Sequence, residues 1–263
     1  MRTPSIIYLA INLPRSAERR AMLAEQEERA GIKIQLVQAI SGAELTAEQR
    51  AMYDERRRAS LYTTHLTPNE QACMHSHLKA LRTFLASGAD YGVIMEDDVL
   101  LNEDFRAGID CLLHRVHGWE SAKLYNEKCK LYEICPKLAD APLQPVFPKK
   151  VPWGAVAYIH SRAAAEMIVR HLTRFWMGAD AMIAITLLEH GVPVIGVTPN
   201  LVSTAYPKNE QSDIDAGAHR LQQEVRPRTL PMYLRYRASV IRTAIRKSRM
   251  RALLRRVIRT TEA

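Results

Sequence analysis

GVIMEDDVLL, residues 92–101, places three consecutive acids, Glu96, Asp97 and Asp98, inside an apolar run. Charged side chains are rarely buried without a partner. GVIM is typical of a buried strand, and the acids stand where that strand should end. Because apolar residues on both sides hold the acids near the core, we interpret them as part of a functional site.

Strands and helices alternate on both sides of this stretch. Strands are predicted at 5–13, 32–40, 90–98, 129–135, 153–161 and 192–202. Helices are predicted at 15–31, 68–87, 103–116, 162–172 and 180–191. The charged segment 44–63 fits either a helix or a mobile excursion, and the prolines of 136–152 predict a connecting loop. The alternation predicts an α/β fold with a mostly parallel central sheet.

The helix that begins in LTPNEQAC has a well-marked start. Thr67 can cap it, Pro68 fits its first position, and Glu70 completes a capping box. We therefore favour a structural role for Glu70 over a role in a functional site. His75 and His77 are two residues apart on this helix, so they should point to different sides.

The net charge of +9 is concentrated near the C-terminus. From Arg226 onward, eleven Arg and one Lys against one Glu give +11, which leaves −2 for the preceding 225 residues. We therefore predict two units: one α/β domain at 1–225 and a basic tail at 226–263.

Apolar residues recur at helical spacing between the arginines of 233–260, which predicts a basic amphipathic helix. We expect it to bind an anionic inner-membrane surface, where each cation contributes on the order of 1 kcal/mol. Nucleic-acid binding is the less favoured interpretation, because only Tyr233 and Tyr236 supply aromatic rings. Packing against a partner subunit is a third interpretation.

The cysteines and the first apolar run bear on the compartment. Cys73, Cys111, Cys129 and Cys135 show no metal-ligand spacing and are expected to be reduced thiols, with zinc binding or a disulfide as the less favoured interpretation. The run at 5–13 is too short to span a bilayer and lacks a cleavage site. We expect a cytoplasmic protein that is peripherally associated with the membrane.

Glu96 and Asp98 should share one face of the predicted strand, with Asp97 turned away. In parallel sheets, ligands bind at the carboxyl ends of the strands. Two carboxylates there suit Mn²⁺ or Mg²⁺, which takes a few protein oxygens and then substrate phosphates. The structural alternative is that Asp97 or Asp98 caps a turn while Glu96 is solvated.

Six segments, in order, resemble glycosyltransferase family 25, the lipooligosaccharide β-galactosyltransferase family: YLAINLPRSAERR, LTPNEQACMHSHLKAL, GVIMEDDVLL, WGAVAYIHSRAAAEMI, GADAMI and QSDI. The resemblance spans roughly 5–214 and leaves out the tail. It implies a GT-A-like domain whose acidic turn binds a divalent cation and a UDP-sugar donor. It further implies inverting transfer of a hexose, galactose from UDP-galactose, to a lipid-linked oligosaccharide acceptor of the lipopolysaccharide core.

The resemblance also implies site residues. The metal ligands are expected to be Asp98 and Glu96. Nucleotide-sugar contacts are expected from Asn12, Leu13, Arg15, Ala39, Ile40, Glu96, Asp97, His77, Gln211 and Ser212. Arg15 is favoured over Arg19 for the diphosphate, since guanidinium pairs well with phosphate oxygens. Several of these residues also have a structural alternative. Arg15 and Arg19 would be solvated helix residues, and Ala39 and Ile40 would belong to the core. His77 would be a buried histidine, and Gln211 and Ser212 would lie in a surface loop.

An inverting displacement needs one general base. Asp180, in GADAMI, is the candidate because it begins a helix near the carboxyl side of the sheet; a helix cap is its structural alternative. Two other function classes stay open. A metal-dependent phosphoesterase would need more converging His and Asp ligands. A non-catalytic nucleotide-binding module would act through the tail, on membrane or nucleic acid.

Overall fold

The computed structural model describes residues 3–62, 64–126, 131–132, 138–148 and 154–205, with isolated helical positions between 234 and 255. Its strands are β1 Ile6–Asn12, β2 Ile34–Gln38, β3 Tyr91–Glu96, β4 Val99–Leu101, β5 Ser121–Lys123, β6 Leu131–Tyr132, β7 Gln144–Pro148, β8 Ala157–Ser161, β9 Val194–Thr198 and β10 Val202–Thr204. Its helices are α1 Ala17–Ala30, α2 Ala47–Ala51, α3 Glu55–Ala59, α4 Pro68–Ser87, α5 Phe105–Arg115, α6 Arg162–His171 and α7 Ala179–Glu189.

Eight strands form one sheet in the order β2-β1-β3-β8-β5-β9-β7-β6. β1 is parallel to β2 and β3, and β5 is parallel to β9. β8 runs antiparallel to β3 and β5, and β7 antiparallel to β9 and β6. Six of the eight strands therefore run in one direction, which confirms the mostly parallel sheet. β4 and β10 form a separate antiparallel pair.

Helices cover both faces of the sheet. Leu23 of α1 and Phe105 of α5 belong to the core on one face, whereas α4, α6 and α7 build the core on the other. The second face leaves no room for a side chain at Gly92, where an added Cβ would lie 2.5 Å from the Phe84 ring. α4 consequently lies close against β3, and its N-terminal half reaches the end of that strand.

Several boundaries differ from the predictions. β3 ends at Glu96 instead of 98, because Asp97 and Asp98 form the turn into β4. The segment 44–63 contains α2 and α3, with Thr63 outside the described residues. The predicted strand 129–135 is described only at its two central residues, which form β6.

The predicted proline-rich loop contains a strand, β7. Residues 144–146 of β7 pair with β9 and residues 147–148 pair with β6. Each proline of β7 thus lies where the strand is paired on one side, the position that sheets allow for a residue without an N–H. The predicted last strand, 192–202, is divided into β9 and the start of β10.

The basic tail predicted at 226–263 lies largely outside the described residues, so its amphipathic helix stays a prediction. Among the helices that the structure does describe, none combines the length and apolar character needed to cross a membrane.

Candidate functional site

A cleft opens where β1, β2 and β3 reach their carboxyl ends, and α4 forms one of its walls. Its volume is about 750 Å³, a figure that includes space open to solvent. The residues that line it are Ile11, Leu13, Arg15, Arg19, Ala39, Ile40, Ser41, Asn69, Cys73, Ser76, His77, Glu96, Asp97 and Asp98. Eight of the predicted site residues are among them, drawn from four separate parts of the chain.

Asp97, the middle acid, is an anchor. Its side chain is buried, and its Oδ1 lies 2.7 Å from Nη1 of Arg19. Its Oδ2 accepts a hydrogen bond of 2.6 Å from Nδ2 of Asn12. Both oxygens are thus used to hold α1 and the end of β1 against the acidic turn.

Asn12 does not line the cleft, although it was predicted to contact the nucleotide. It is 4% exposed, and its amide serves Asp97 and the arginine Arg20, whose Nη1 donates to Asn12 Oδ1 at 3.2 Å. The reason is its place on the last position of β1, which turns its side chain toward the turn after β3.

Asp98 lies in the turn between β3 and β4. The expectation that it shares a strand face with Glu96 is therefore wrong, because Asp98 is not part of the strand. The two carboxylates are nevertheless close enough to interact. Burial, followed by the charge of Glu96, raises the pKa of Asp98 to about 6, while Arg19 opposes this shift. Asp98 Oδ1 is buried and accepts no hydrogen bond from any residue that the structure describes.

These observations test whether the acids fit a divalent cation. A buried carboxylate oxygen without a donor is costly, and a second carboxylate beside it adds repulsion. A cation would relieve both effects, and oxygen ligands are those that Mg²⁺ and Mn²⁺ prefer. Glu96 and Asp98 therefore fit the predicted ion, whereas both oxygens of Asp97 already accept hydrogen bonds from Asn12 and Arg19.

The opposite wall of the cleft combines apolar and cationic side chains. Ile11, Leu13, Ala39 and Ile40 supply its apolar surface. The backbone of Ile40 is held by a hydrogen bond of 2.9 Å that its N–H donates to Ser76 Oγ. Arg15 and Arg19 both line the cleft. Their positions therefore do not favour Arg15 over Arg19 as the residue that contacts the diphosphate.

One face of α4 contributes more of the lining than expected. Asn69, Cys73, Ser76 and His77 recur at intervals of three and four, which places them on one side of the helix. Helical spacing, counted back from His77, would have found Cys73 and Asn69. His75 lies on another side, where its Nε2 is 2.9 Å from the Gln49 carbonyl oxygen.

His77 is buried, with its Nδ1 2.9 Å from the Tyr158 hydroxyl and its Nε2 3.7 Å from Glu96 Oε1. Glu70, two turns earlier, makes the predicted capping box. Its N–H donates to Thr67 Oγ1 at 3.2 Å, and its Oε2 accepts from the Thr67 N–H at 2.8 Å. The predicted capping box is therefore confirmed.

Asp180 lies outside the cleft lining, in the first turn of α7. Its Oδ1 accepts from the Ala181 N–H at 2.7 Å and its Oδ2 from the Gly154 N–H at 2.6 Å. Gly154 stands two residues before Val156, whose carbonyl accepts from the Glu96 N–H at 2.9 Å. Asp180 is thus linked, through Gly154, to the edge of the sheet where Glu96 lies. Its carboxylate holds the backbone of Gly154 there.

Gln211 and Ser212 lie outside the described residues. The last residue described before them is Ala205, whose N–H donates to the Asp98 carbonyl at 2.8 Å. The chain therefore leaves β10 beside the acidic turn, and the contacts predicted for Gln211 and Ser212 stay predictions.

The fold and the cleft define a class, that of an α/β protein with a ligand-binding site at the carboxyl ends of its parallel strands. The model of glycosyltransferase family 25 (LPS biosynthesis protein) matches residues 6–183, and the chain belongs to this family. It is also similar to the crystal structure of a glycosyltransferase involved in the glycosylation of the major capsid of PBCV-1, with 11% identity and a TM-score of 0.33. The similarity covers 62% of this chain and 62% of the length of that one. Among curated proteins, no sequence matches.

Proposed function

We propose that this glycosyltransferase is an inverting hexosyltransferase that moves galactose from UDP-galactose to a lipid-linked oligosaccharide of the lipopolysaccharide core. The observation that carries the proposal is the half-buried pair Glu96 and Asp98, set beside two arginines at the carboxyl end of β3. The family description, LPS biosynthesis, supports the acceptor class.

The cleft offers complementary surfaces for the parts of a UDP-sugar. The apolar wall of Ile11, Ala39 and Ile40 suits the uracil ring, which gains from leaving water. Arg15 and Arg19 suit the diphosphate, because guanidinium groups donate paired hydrogen bonds to phosphate oxygens. The ion pair with Asp97 keeps Arg19 from extending into solvent, so its charge is in place before the donor arrives.

Glu96 and Asp98 would hold the Mn²⁺ or Mg²⁺ ion. When bound, such an ion neutralises the charge that develops on the leaving nucleoside diphosphate. Asp97 serves this site indirectly, because its hydrogen bonds to Asn12 and Arg19 fix the turn that carries Asp98.

Inversion requires that the acceptor hydroxyl attack the anomeric carbon from the face opposite UDP while a base takes its proton. We assign the base to Asp180, following the family pattern GADAMI. Its link through Gly154 to the strand beside Glu96 supports a place at the same rim. The hydrogen bonds from two backbone N–H groups keep its carboxylate oriented.

The arginines of 233–260 suit an enzyme whose acceptor is a membrane lipid. Twelve cations after residue 225 would hold the catalytic domain at an anionic surface. Cosedimentation with vesicles that contain phosphatidylglycerol tests this: chain 1–263 should bind and chain 1–225 should not. Equal binding by both chains would remove the tail from the proposal.

A turnover assay tests the transferase itself. With Mn²⁺ and a lipooligosaccharide acceptor, the protein should release UDP from UDP-galactose faster than from UDP-glucose, and a chelator should stop the release. UDP binding without turnover for any UDP-hexose would instead favour the non-catalytic nucleotide-binding module.

A further inference from the structure

Three side chains of different chemistry meet at the inner end of the cleft. Cys73 and His77 are one helical turn apart on α4, and Glu96 ends β3. The Cys73 sulfur, a His77 ring nitrogen and a Glu96 carboxylate oxygen all lie within 4.8 Å of one another. None of the steps proposed above uses Cys73.

His77 is prepared for a ligand. The residue is 1% exposed, and its Nε2 is buried without a hydrogen-bond partner in the described part of the chain. The Tyr158 hydroxyl, 2.9 Å from Nδ1, orients the ring so that Nε2 faces Glu96. Histidines that bind metals commonly have an oxygen partner on the other ring nitrogen, which fixes the tautomer.

We propose that Cys73, His77 and Glu96 form a binding site for a thiophilic divalent cation of the Zn²⁺ class. In a tetrahedral zinc site, ligand atoms are roughly 3.3–3.6 Å apart, as follows from bonds of about 2.0–2.3 Å. The distance of 3.7 Å between His77 Nε2 and Glu96 Oε1 is already close to that value. The Cys73 sulfur lies within 4.8 Å of both atoms, and the thiol proton passes to solvent when the ion binds.

The ligand set distinguishes this site from the oxygen site at Glu96 and Asp98. Thiolate and imidazole favour zinc over Mg²⁺ and Mn²⁺, which prefer oxygen. Both sites use Glu96, so one carboxylate cannot serve both ions fully. Zinc bound by Cys73 and His77 should therefore weaken UDP binding that depends on Mn²⁺. This consequence rests on the proposed function, whereas the zinc site does not.

Cobalt(II) is the probe for the site, because thiolate ligation gives a near-ultraviolet charge-transfer band. The full chain, without a histidine tag, is titrated as wild type, Cys73→Ala and Cys111→Ala. Cys111 is the matched control, since it is a buried cysteine of α5, in the core on the other face of the sheet. We expect the band in wild type and Cys111→Ala, its loss in Cys73→Ala, and at least about tenfold weaker zinc binding in Cys73→Ala and His77→Gln.

No charge-transfer band in the wild type, or the same band in Cys73→Ala, would overturn the proposal. Circular dichroism shows whether each variant is folded, and affinity for UDP with Mg²⁺ is measured on the wild type. A wild type that gives the cobalt band but does not bind UDP would leave the zinc site standing and remove the proposed function. UDP binding without the cobalt band would leave the proposed function standing and remove the zinc site.

Discussion

Arg19 and Asp97 form an ion pair, with 2.7 Å between Nη1 and Oδ1, that joins α1 to the turn after β3. The same carboxylate accepts a hydrogen bond from Asn12 at the end of β1. The middle acid of the EDD turn is therefore structural, and the acids on either side of it are left to meet a ligand.

Asp97→Asn should lower the free energy of unfolding by about 2 kcal/mol, because hydrogen bonds to a charged group are lost and Arg19 keeps a partly buried charge. Urea unfolding, followed by circular dichroism, measures this. Glu103→Gln is the control, since Glu103 is an exposed acid a few residues further on. Equal midpoints for the two variants would contradict the role assigned to Asp97.

His160 should make stability depend on pH. Burial, followed by the charges of Lys123 and His77, lowers the pKa of His160 to about 3 in the native chain. The unfolded chain takes up that proton below about pH 6.5, so it binds more protons than the native chain as the pH falls. The His160 contribution is complete above pH 6.5 and is lost on acidification, by roughly 2 kcal/mol between pH 7 and pH 5.

The difference between wild type and His160→Gln isolates this contribution, because other groups titrate equally in both proteins. Chemical unfolding at a series of pH values should give a flatter profile for His160→Gln. His114→Gln, at an exposed position of α5, should keep the wild-type profile. Parallel profiles for wild type and His160→Gln would mean that the pKa of His160 is the same in the native and unfolded chains, which contradicts this prediction.

Thr67→Ala should cost about 1 kcal/mol of stability and leave UDP affinity unchanged, because Thr67 caps α4 without lining the cleft. Glu70→Gln keeps an acceptor for the Thr67 N–H and should be more stable than Glu70→Ala. Thermal unfolding and calorimetric titration of UDP test the two properties separately. A loss of UDP affinity in Glu70→Gln would show that Glu70 belongs to the site.

Asp180→Asn should abolish sugar transfer while UDP binding persists, because the amide keeps one acceptor oxygen but cannot take a proton. Product formation and UDP affinity are measured on the same preparation. Full transfer activity in this variant would leave Asp180 as a helix-terminal anchor and exclude it as the base.

The fold followed from the order of strands and helices, since each long element has a clear hydrophobic period. Short strands such as β5 and β7 were missed because an alternation of apolar and polar residues cannot be recognised over three to five residues. β7 was also hidden by its prolines.

The acids were found because their position in an apolar run is local information. Their individual roles depend on tertiary contacts. Strand alternation predicted Asp98 and Glu96 on one face of the strand. In the structure the chain turns at Asp97, and Arg19 of α1 holds the Asp97 side chain. Cys73 was overlooked for the same reason, since its neighbour Glu96 is distant in sequence.

The central claim is that Glu96 and Asp98 hold the cation on which nucleotide binding depends. Calorimetric titration of UDP into wild type and Asp98→Ala, with Mn²⁺ and with chelator, tests it most directly, with Glu103→Gln as the control. We predict binding by wild type and Glu103→Gln with Mn²⁺, and at least about tenfold weaker binding with chelator or in Asp98→Ala. UDP affinity that is the same with Mn²⁺ and with chelator, or unchanged in Asp98→Ala, would contradict the claim.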